Sequence, residues 1–303
     1  MERQQVITNF VNNRPEALGA YGYGSGVFKQ FGYGNNDHPQ IDIIFLVENL
    51  KRWHIANLSM NKSDYTVSGR TYVLLSDPEQ FKGKNKITYY SQIYENGLQF
   101  KYGVMEERDF LEFLESWENI FIAGRFQKPV LQIKGNELQN EAIKKNKEQA
   151  LLVASILAPA VVSKREFFEI LCGLSYRGTL RMSFAENPCK IENIVKGSYE
   201  KLLETYNLYT DYIKEDENGV LFIDHSKVIY HVKELPIALI KYLYMNGYNL
   251  VNLQSLRQGI NNFLTEHNKT EELSQSIDGI KTNGIVRSTP YLLAKVKKKV
   301  VKK

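Results

Sequence analysis

Tyr21-Gly22-Tyr23-Gly24-Ser25-Gly26-Val27-Phe28-Lys29-Gln30, followed downstream by Ile41-Asp42-Ile43-Ile44-Phe45, is the stretch on which the reading of this chain turns. A Gly-Ser turn precedes a strand whose one polar interruption is Asp42. Gly24, Ser25 and Gly26 allow the backbone to approach a triphosphate, with N–H groups directed at phosphate oxygens. A carboxylate on a rigid strand is suited to Mg²⁺, which takes carboxylate and phosphate oxygens as ligands. Together these are the skeleton of a nucleotidyltransferase site, with Asp42 as catalytic metal ligand and Ser25 beside it in the turn.

Composition narrows the class of protein. The chain has 303 residues, 43% hydrophobic and 24% charged, as in globular proteins with room for two domains. The longest apolar run, Ala150 to Val162, is interrupted by Pro159 and falls short of the roughly 20 residues a membrane span needs. The start, Met1-Glu2-Arg3-Gln4-Gln5, has neither a signal core nor a transit pattern, which favours a bacterial cytoplasmic location over a mitochondrial matrix. Cys172 and Cys189 lack metal-ligand spacing and read as ordinary thiols. The net charge is +5, but Lys295 to Lys303 holds six lysines and no acid. With those set aside, the 39 basic residues fall to one fewer than the 34 acidic ones. The body is near neutral, so no nucleic-acid partner is expected.

Periodicity sketches the architecture. Val6, Phe10 and Val11 predict a short N-terminal helix. Ile41 to Val47 reads as a strand buried on both faces. Asn49 to Met60 reads as a helix carrying Trp53, His54 and Asn57. Asn96-Gly97 predicts a hairpin turn into a strand containing Lys101. A helix follows over Asp109 to Asn119, and Phe121 to Ile133 reads as strand-like. From Asn136 the character becomes helical, with a capping box at Ser163-Lys164-Arg165-Glu166 and a short strand pair around Val220 to Ile223. The expected fold class is α+β. Residues 1–135 form a nucleotidyltransferase domain with a mixed sheet flanked by helices, 136–250 a mostly helical winged-helix-like domain, and 251–303 a C-terminal extension with a basic tail.

Side chains two apart in a strand share a face, so Gln40 and Ile44 flank Asp42. Polymerase-type sites usually carry a second carboxylate there, and this chain offers only one. Glu48 lies about 20 Å further along the strand, while Glu106 and Glu107 are candidate third ligands. Lys29, Lys101, Arg125 and Lys128 are the cationic candidates for the triphosphate, Arg by a bidentate grip and Lys as a point charge. His54 is a candidate phosphate donor, against the ordinary reading of a helical histidine as packed.

These motifs resemble the Tam41 family of mitochondrial-type phosphatidate cytidylyltransferases, which has bacterial relatives. The resemblance rests on Gly24 to Gln30, Asp42 to Phe45, Trp53-His54-x-x-Asn57-Leu58, and Asn96-Gly97 with Lys101-Tyr102-Gly103-Val104. It rests most on Ile122-Ala123-Gly124-Arg125-Phe126-Gln127-Lys128-Pro129-Val130, joined by Gly173-Leu174-Ser175-Tyr176, Arg181-Met182 and Gly284 to Arg287. The resemblance implies a polymerase-β-like nucleotidyltransferase domain joined to a winged-helix-like domain, with the site in the crevice. It implies CTP and phosphatidic acid as substrates and Mg²⁺ as cofactor. It places Asp42, Ser25 and Lys101 in catalysis and Gly24, Gly26, Lys29, His54, Asn57, Arg125 and Lys128 around the nucleotide. The chain departs from the family at Asp64-Tyr65-Thr66, where His-Tyr-Ser is common.

The nucleophile in that reaction is a phosphomonoester with a second pKa of about 6, already anionic near neutrality, so a strong general base is not required. Leu292, Val296 and Val300 recur every four residues among the tail lysines. That pattern predicts a helix lying on an anionic membrane surface, with the protein peripheral on the inner face of the cell membrane. Two other readings are a nucleotidyltransferase with a different acceptor and a non-catalytic winged-helix protein that binds nucleic acid.

Overall fold

The computed structural model describes residues 3–28, 39–179 and 187–300, with the backbone alone over 283–300. The fold is α+β. Its first unit is a five-stranded sheet in the order β3-β4-β2-β1-β5, built from β1 (Gly19–Tyr23), β2 (Ile41–Val47), β3 (Ile87–Glu95), β4 (Leu98–Glu106) and β5 (Leu131–Lys134). The β2–β4 pair is parallel and the other pairings are antiparallel, so the sheet is mixed. β3 and β4 meet at Asn96-Gly97, where φ is +50° and +76°, the left-handed pair that a two-residue hairpin requires.

Both faces of the sheet are covered, and side-chain alternation sorts residues between them. Ile41, Ile43, Phe45, Phe100, Tyr102 and Val104 face α1 (Arg3–Asn12) and α2 (Leu50–Met60). There Phe10 stacks on Phe100 with ring centroids 3.9 Å apart. Ile44, Leu46 and Met105 face α5 (Glu107–Ser116) and α6 (Ile120–Phe126) together with Tyr21, Phe110 and Phe126. This is why β2 is an almost unbroken apolar run, with Asp42 the one position that is not buried.

The first of these faces encloses a polar network. His54 is fully buried, its Nδ1 2.8 Å from the Tyr65 hydroxyl and its Nε2 2.7 Å from Thr88 Oγ1. Asn57 donates to the hydroxyls of Tyr65 and Tyr102, both at 2.9 Å, and to Asp64. Asp64 is paired with Arg14 at 3.2 Å and accepts from Tyr102. Burial pushes the Asp64 carboxyl up, against the pull of Arg14, Tyr102 and Asn57. Tyr102 points to the face opposite Asp42, because Lys101, its neighbour in β4, is the residue registered with Asp42. His54 and Asn57 therefore lie beneath the sheet with their polar atoms already bonded. The expectation that they contact the nucleotide is corrected: they build the core.

Of Phe121 to Ile133, expected to be strand-like, the first part lies in helix α6 and only the end, from Leu131, is strand, in β5. The apolar, partly β-branched sequence of α6 carries no helical signal, but Asn119 caps it by accepting from Ile122 N at 3.1 Å. Downstream, α7 (Glu137–Leu157) joins the two units. Its first turns, with Ala142 and Ile143, pack on the sheet, and Ala150 to Ile156 enter a second core. Near its start, Gln139 accepts from the Tyr21 hydroxyl at 2.7 Å. The second unit continues through β6 (Val161–Ser163), α8 (Lys164–Gly173), α9 (Lys190–Thr205), β7 (Ile213–Glu215) and β8 (Val220–Ile223), with the small sheet ordered β6-β8-β7. Ser163 and Glu166 form the expected capping box.

α10 (His225–Val228) and α11 (Ile237–Met245) lead to α12 (Leu253–Val300). Leu256, Ile260, Phe263 and Leu264 of α12 are fully buried in the second core. The same helix then runs back along the first unit against α3 (Val67–Leu75), α6 and β3. It is a brace across both units. Among the described residues no helix is long and apolar enough to cross a membrane.

Burial drives the His54 pKa down to about 3, so the folded protein keeps it neutral while the unfolded chain protonates it near 6.5. The unfolded state then binds the extra proton, and stability falls as pH drops from about 6.5 toward 3. Urea unfolding should show this slope, and His54→Gln should flatten it. His54→Ala should cost about 2–4 kcal/mol, from the emptied volume and the two stranded hydroxyls.

Candidate functional site

Strand register assembles the site. Tyr23 of β1 pairs with Asp42 of β2, and Asp42 pairs with Lys101 of β4. The three side chains form a row across the sheet on the face covered by α6. The Gly-rich turn stands at one end of this row. Val27 N and Phe28 N both donate to Gly24 O, at 3.1 and 2.9 Å. Gly24 has φ +76°, and a Cβ there would stand 3.5 Å from Asp42 Oδ2. A Cβ on Gly26 would lie 2.1 Å from Gln40 O, so only glycine lets the turn sit on the start of β2. The turn and the carboxylate adjoin because both are packed against this strand entrance. Gln40 Nε2 donates to Asp42 Oδ1 at 3.1 Å and orients the carboxylate.

Arg125 projects from α6 toward the same place. Its guanidinium packs 3.3 Å over the Phe121 ring and 5.3 Å from that of Tyr23, and Nη1 donates to Phe121 O. Burial opposes its charge, but Tyr89, Tyr23 and Asp42 outweigh burial and hold its pKa above the usual arginine value. Its buried Nε has no hydrogen-bond partner among the described residues. A half-buried guanidinium with an unused donor beside a carboxylate and a glycine turn is equipped to receive an anion. Lys101 Nζ lies 4.5 Å over the Tyr89 ring, which closes the row from β3.

Lys128 follows α6. Its Nζ donates to Gly124 O at 2.5 Å and to Ser175 Oγ at 2.9 Å. Burial drives its pKa down to about 8, with Cys172 opposing the shift and Arg125 adding to it. A Cβ on Gly124 would meet Ser175 Cβ at 2.2 Å. The two segments, Gly124 to Lys128 and Gly173 to Tyr176, are far apart in sequence and in direct contact here. A line of contacts thus runs from Asp42 past Arg125 to Lys128 and Ser175.

The structure brings together Asp42, Gly24, Ser25, Gly26, Lys101, Arg125 and Lys128. It leaves His54 and Asn57 beneath the sheet. Lys29 and the Arg181-Met182 pair lie outside the described residues, as do the side chains of Lys281, Arg287 and the tail. Glu106 is excluded as a partner of Asp42 because it pairs with Val47 at the far end of β4. There it binds Lys82 at 2.9 Å and Arg108 at 3.1 Å and accepts from Leu50 N. Glu107, the next residue, holds Asn136 and Gln139. Two charged cavities of about 400 and 310 Å³ share Glu79, Lys82 and Arg108 at that end, and neither is lined by Asp42 or Arg125. Their linings mix lysines with paired carboxylates, whereas Asp42 has Lys101 in register beside it and the Arg125 guanidinium coupled to it. Among the described residues no group of three or more carboxylate, histidine or cysteine side chains is placed to hold a metal ion.

Sequence reasoning missed Tyr23 and Tyr89 as walls of the site and Ser175 as the partner of Lys128. Tyr23 and Ser175 lie inside motifs already singled out. Tyr89 carries no sequence signal, since only the β3–β4 register places it over this end of the sheet.

Comparison with known proteins follows the same lines. The family described as "Phosphatidate cytidylyltransferase, mitochondrial" matches residues 4–298. A relative of that name from Schizosaccharomyces pombe is 32% identical, over 100% of this chain and 85% of its own length. The Dictyostelium discoideum relative is 29% identical over 73% of this chain, which spans 56% of that protein. The human relative is 30% identical over 90% of this chain, which spans 58% of that protein. With the match running almost from end to end and the site motifs meeting in one crevice, the chain belongs to the mitochondrial phosphatidate cytidylyltransferase family of nucleotidyltransferases.

Proposed function

We propose that the chain carries out its family's reaction, transfer of CMP from CTP to phosphatidate with release of pyrophosphate, at the Asp42 end of the five-stranded sheet. The observation that carries this reading is the contact of the Gly24 turn with Asp42 beside the half-buried Arg125. In this reading the first unit is a polymerase-β-like nucleotidyltransferase domain, supported by a mixed sheet with a carboxylate next to a Gly-Ser turn. The second is a winged-helix-like domain, supported by its helix-strand-helix-helix-strand-strand order and its β6-β8-β7 sheet.

A phosphate oxygen of phosphatidate attacks the α-phosphorus of CTP. A new P–O bond forms, the α–β bridging bond breaks, and its electron pair leaves on pyrophosphate. The attacking phosphate is largely dianionic above its second pKa of about 6, so no residue has to remove a proton. This accounts for a site that, among the described residues, sets one carboxylate and no histidine beside the glycine turn. Asp42 and the triphosphate oxygens fit Mg²⁺, which is commonly held by one or two carboxylates plus substrate phosphates. When bound, that ion supplies charge neutralisation and alignment of the phosphates. Arg125 and Lys128 take the growing negative charge of the leaving pyrophosphate, Lys101 adds a point charge beside Asp42, and the Gly24–Gly26 turn lets phosphate approach the backbone. Gln40 holds the carboxylate in orientation.

The lipid substrate requires the protein to work at a membrane surface. The backbone of α12 is helical to Val300, so the lysine-rich tail is presented on a helix suited to anionic lipid. Each lysine near such a surface contributes about 1 kcal/mol. We assign the chain a peripheral position on the inner face of a cell membrane, or the matrix side in a mitochondrion.

Asp42→Asn should lower CDP-diacylglycerol formation roughly 1,000-fold, the equivalent of about 4 kcal/mol of lost charge stabilisation, with an unchanged melting curve. An acceptor panel with labelled CTP should show turnover with phosphatidate and Mg²⁺, and turnover confined to another acceptor would replace this assignment. Lys128 is charged only below its pKa, so kcat/KM for CTP, which reports the free enzyme, should fall as pH rises through about 8. Lys128→Arg should carry that limb past pH 10, and a limb that stays in place would assign it elsewhere. Truncation after Tyr291 should abolish binding to anionic liposomes, and unchanged binding would remove the tail from the account.

A further inference from the structure

Helix α12 touches three supports of the crevice along one stripe. Asn268 Nδ2 donates to the carbonyls of Leu174 and Arg177, both at 2.9 Å, and so fixes the turn that carries Ser175. The Glu271 carboxylate accepts from Ile120 N at 2.9 Å and Phe121 N at 2.5 Å. Thr282 Oγ1 donates to Tyr89 O at 2.8 Å. Positions 268, 271 and 282 fall on one helical face.

Glu271 stands out because of what α6 is. That helix is short, rich in residues that lower helix propensity, and helical only where its first N–H groups find acceptors. Asn119 accepts from Ile122 N, and Glu271 takes the two donors before it. One of those belongs to Phe121, whose ring is the shelf under Arg125 and whose carbonyl accepts from it. The connection therefore runs from Glu271 to the Phe121 backbone, and from Phe121 to the Arg125 guanidinium above Asp42. Burial raises the Glu271 pKa to about 8 against the pull of the two N–H groups and Arg125. A carboxyl 7% exposed is a costly way to cap a helix.

We propose that Glu271 is a positioning residue for nucleotidyl transfer: by holding Ile120 N and Phe121 N it sets the position from which Arg125 meets the triphosphate. The inference rests on the reading that CTP lies between Asp42 and Arg125, and it gives α12 a catalytic task besides bracing the units.

Equilibrium binding of labelled CTP to the full chain tests it, read alongside melting temperature and kcat/KM. Glu271→Gln keeps the shape but places an amide N–H where an acceptor is needed. It should weaken CTP binding about tenfold, the worth of one hydrogen bond, in protein that still melts cooperatively. Arg125→Ala should weaken binding at least as much, and the double variant should bind no worse than Arg125→Ala alone. Phe121→Ala, which removes the shelf and leaves the cap, should repeat the pattern and serves if Glu271→Gln does not fold. Equal losses from Glu271→Gln in both backgrounds, or wild-type binding by Glu271→Gln, would overturn the proposal and leave the site reading intact. Wild-type binding by Arg125→Ala would overturn the site reading itself, and this proposal with it.

Discussion

A strand buried on both faces with one carboxylate at its entrance is the constraint on which the rest of this protein depends. β2 has no solvent side, so its interior positions must be apolar, and Asp42 is tolerated where the strand emerges beside a turn. The parallel pairing with β4 then puts Lys101 next to it, and the antiparallel pairing with β1 supplies Tyr23. A slip of one residue in either pairing would turn these side chains to the opposite face and dissolve the row. Stability and site geometry are therefore one requirement here, because the core contacts of Ile44 and Leu46 lock the register that assembles the site.

The two faces of the sheet have divided the polar residues between them. Beneath it, Arg14, His54, Asn57, Asp64, Tyr65 and Tyr102 are linked in one hydrogen-bonded network, in which Arg14 Nε has no partner among the described residues. Above it, Asp42, Lys101 and Arg125 lie at the crevice, and the buried Arg125 Nε is unpartnered among the described residues. A linked network of this kind stabilises a unique core, whereas above the sheet the Asp42 carboxylate stands beside the glycine turn and the Arg125 guanidinium. That contrast explains how Trp53-His54-x-x-Asn57 belongs to the motifs by which the chain resembles its family and yet has no contact with the crevice. A family motif can mark packing as readily as chemistry.

The second unit contributes through its joints. Gly124 against Ser175 allows the Leu174–Tyr176 turn to meet α6 closely enough for Ser175 to receive Lys128. α7 enters both cores, and α12 enters the second and packs along α3, α6 and β3 of the first unit, so the two helices tie the units together. The proposed transfer without a general base would depend on alignment for its rate, and the bracing by α7 and α12 is the structural counterpart of that demand.

Much of this was legible along the chain. The Gly-Ser turn, the strand with Asp42, the Asn96-Gly97 hairpin, the capping box at Ser163 and the long helix from Asn136 all follow from local rules of φ, periodicity and capping, and local rules act within a few residues. What escaped them has one physical cause. β1 was hidden because its alternating glycines read as a turn, and it is a strand only by pairing with β2 and β5. Residues 121–126 read as part of a strand and fold as a helix because Glu271, 150 residues away, accepts from the first turn. His54 read as a phosphate donor until the sheet placed it on the wrong face. The sequence by itself determined which residue types would serve the chemistry and most of the elements that carry them. Tertiary structure alone decided which of those residues share a face, because strand register and long-range caps are set by partners that no local pattern contains.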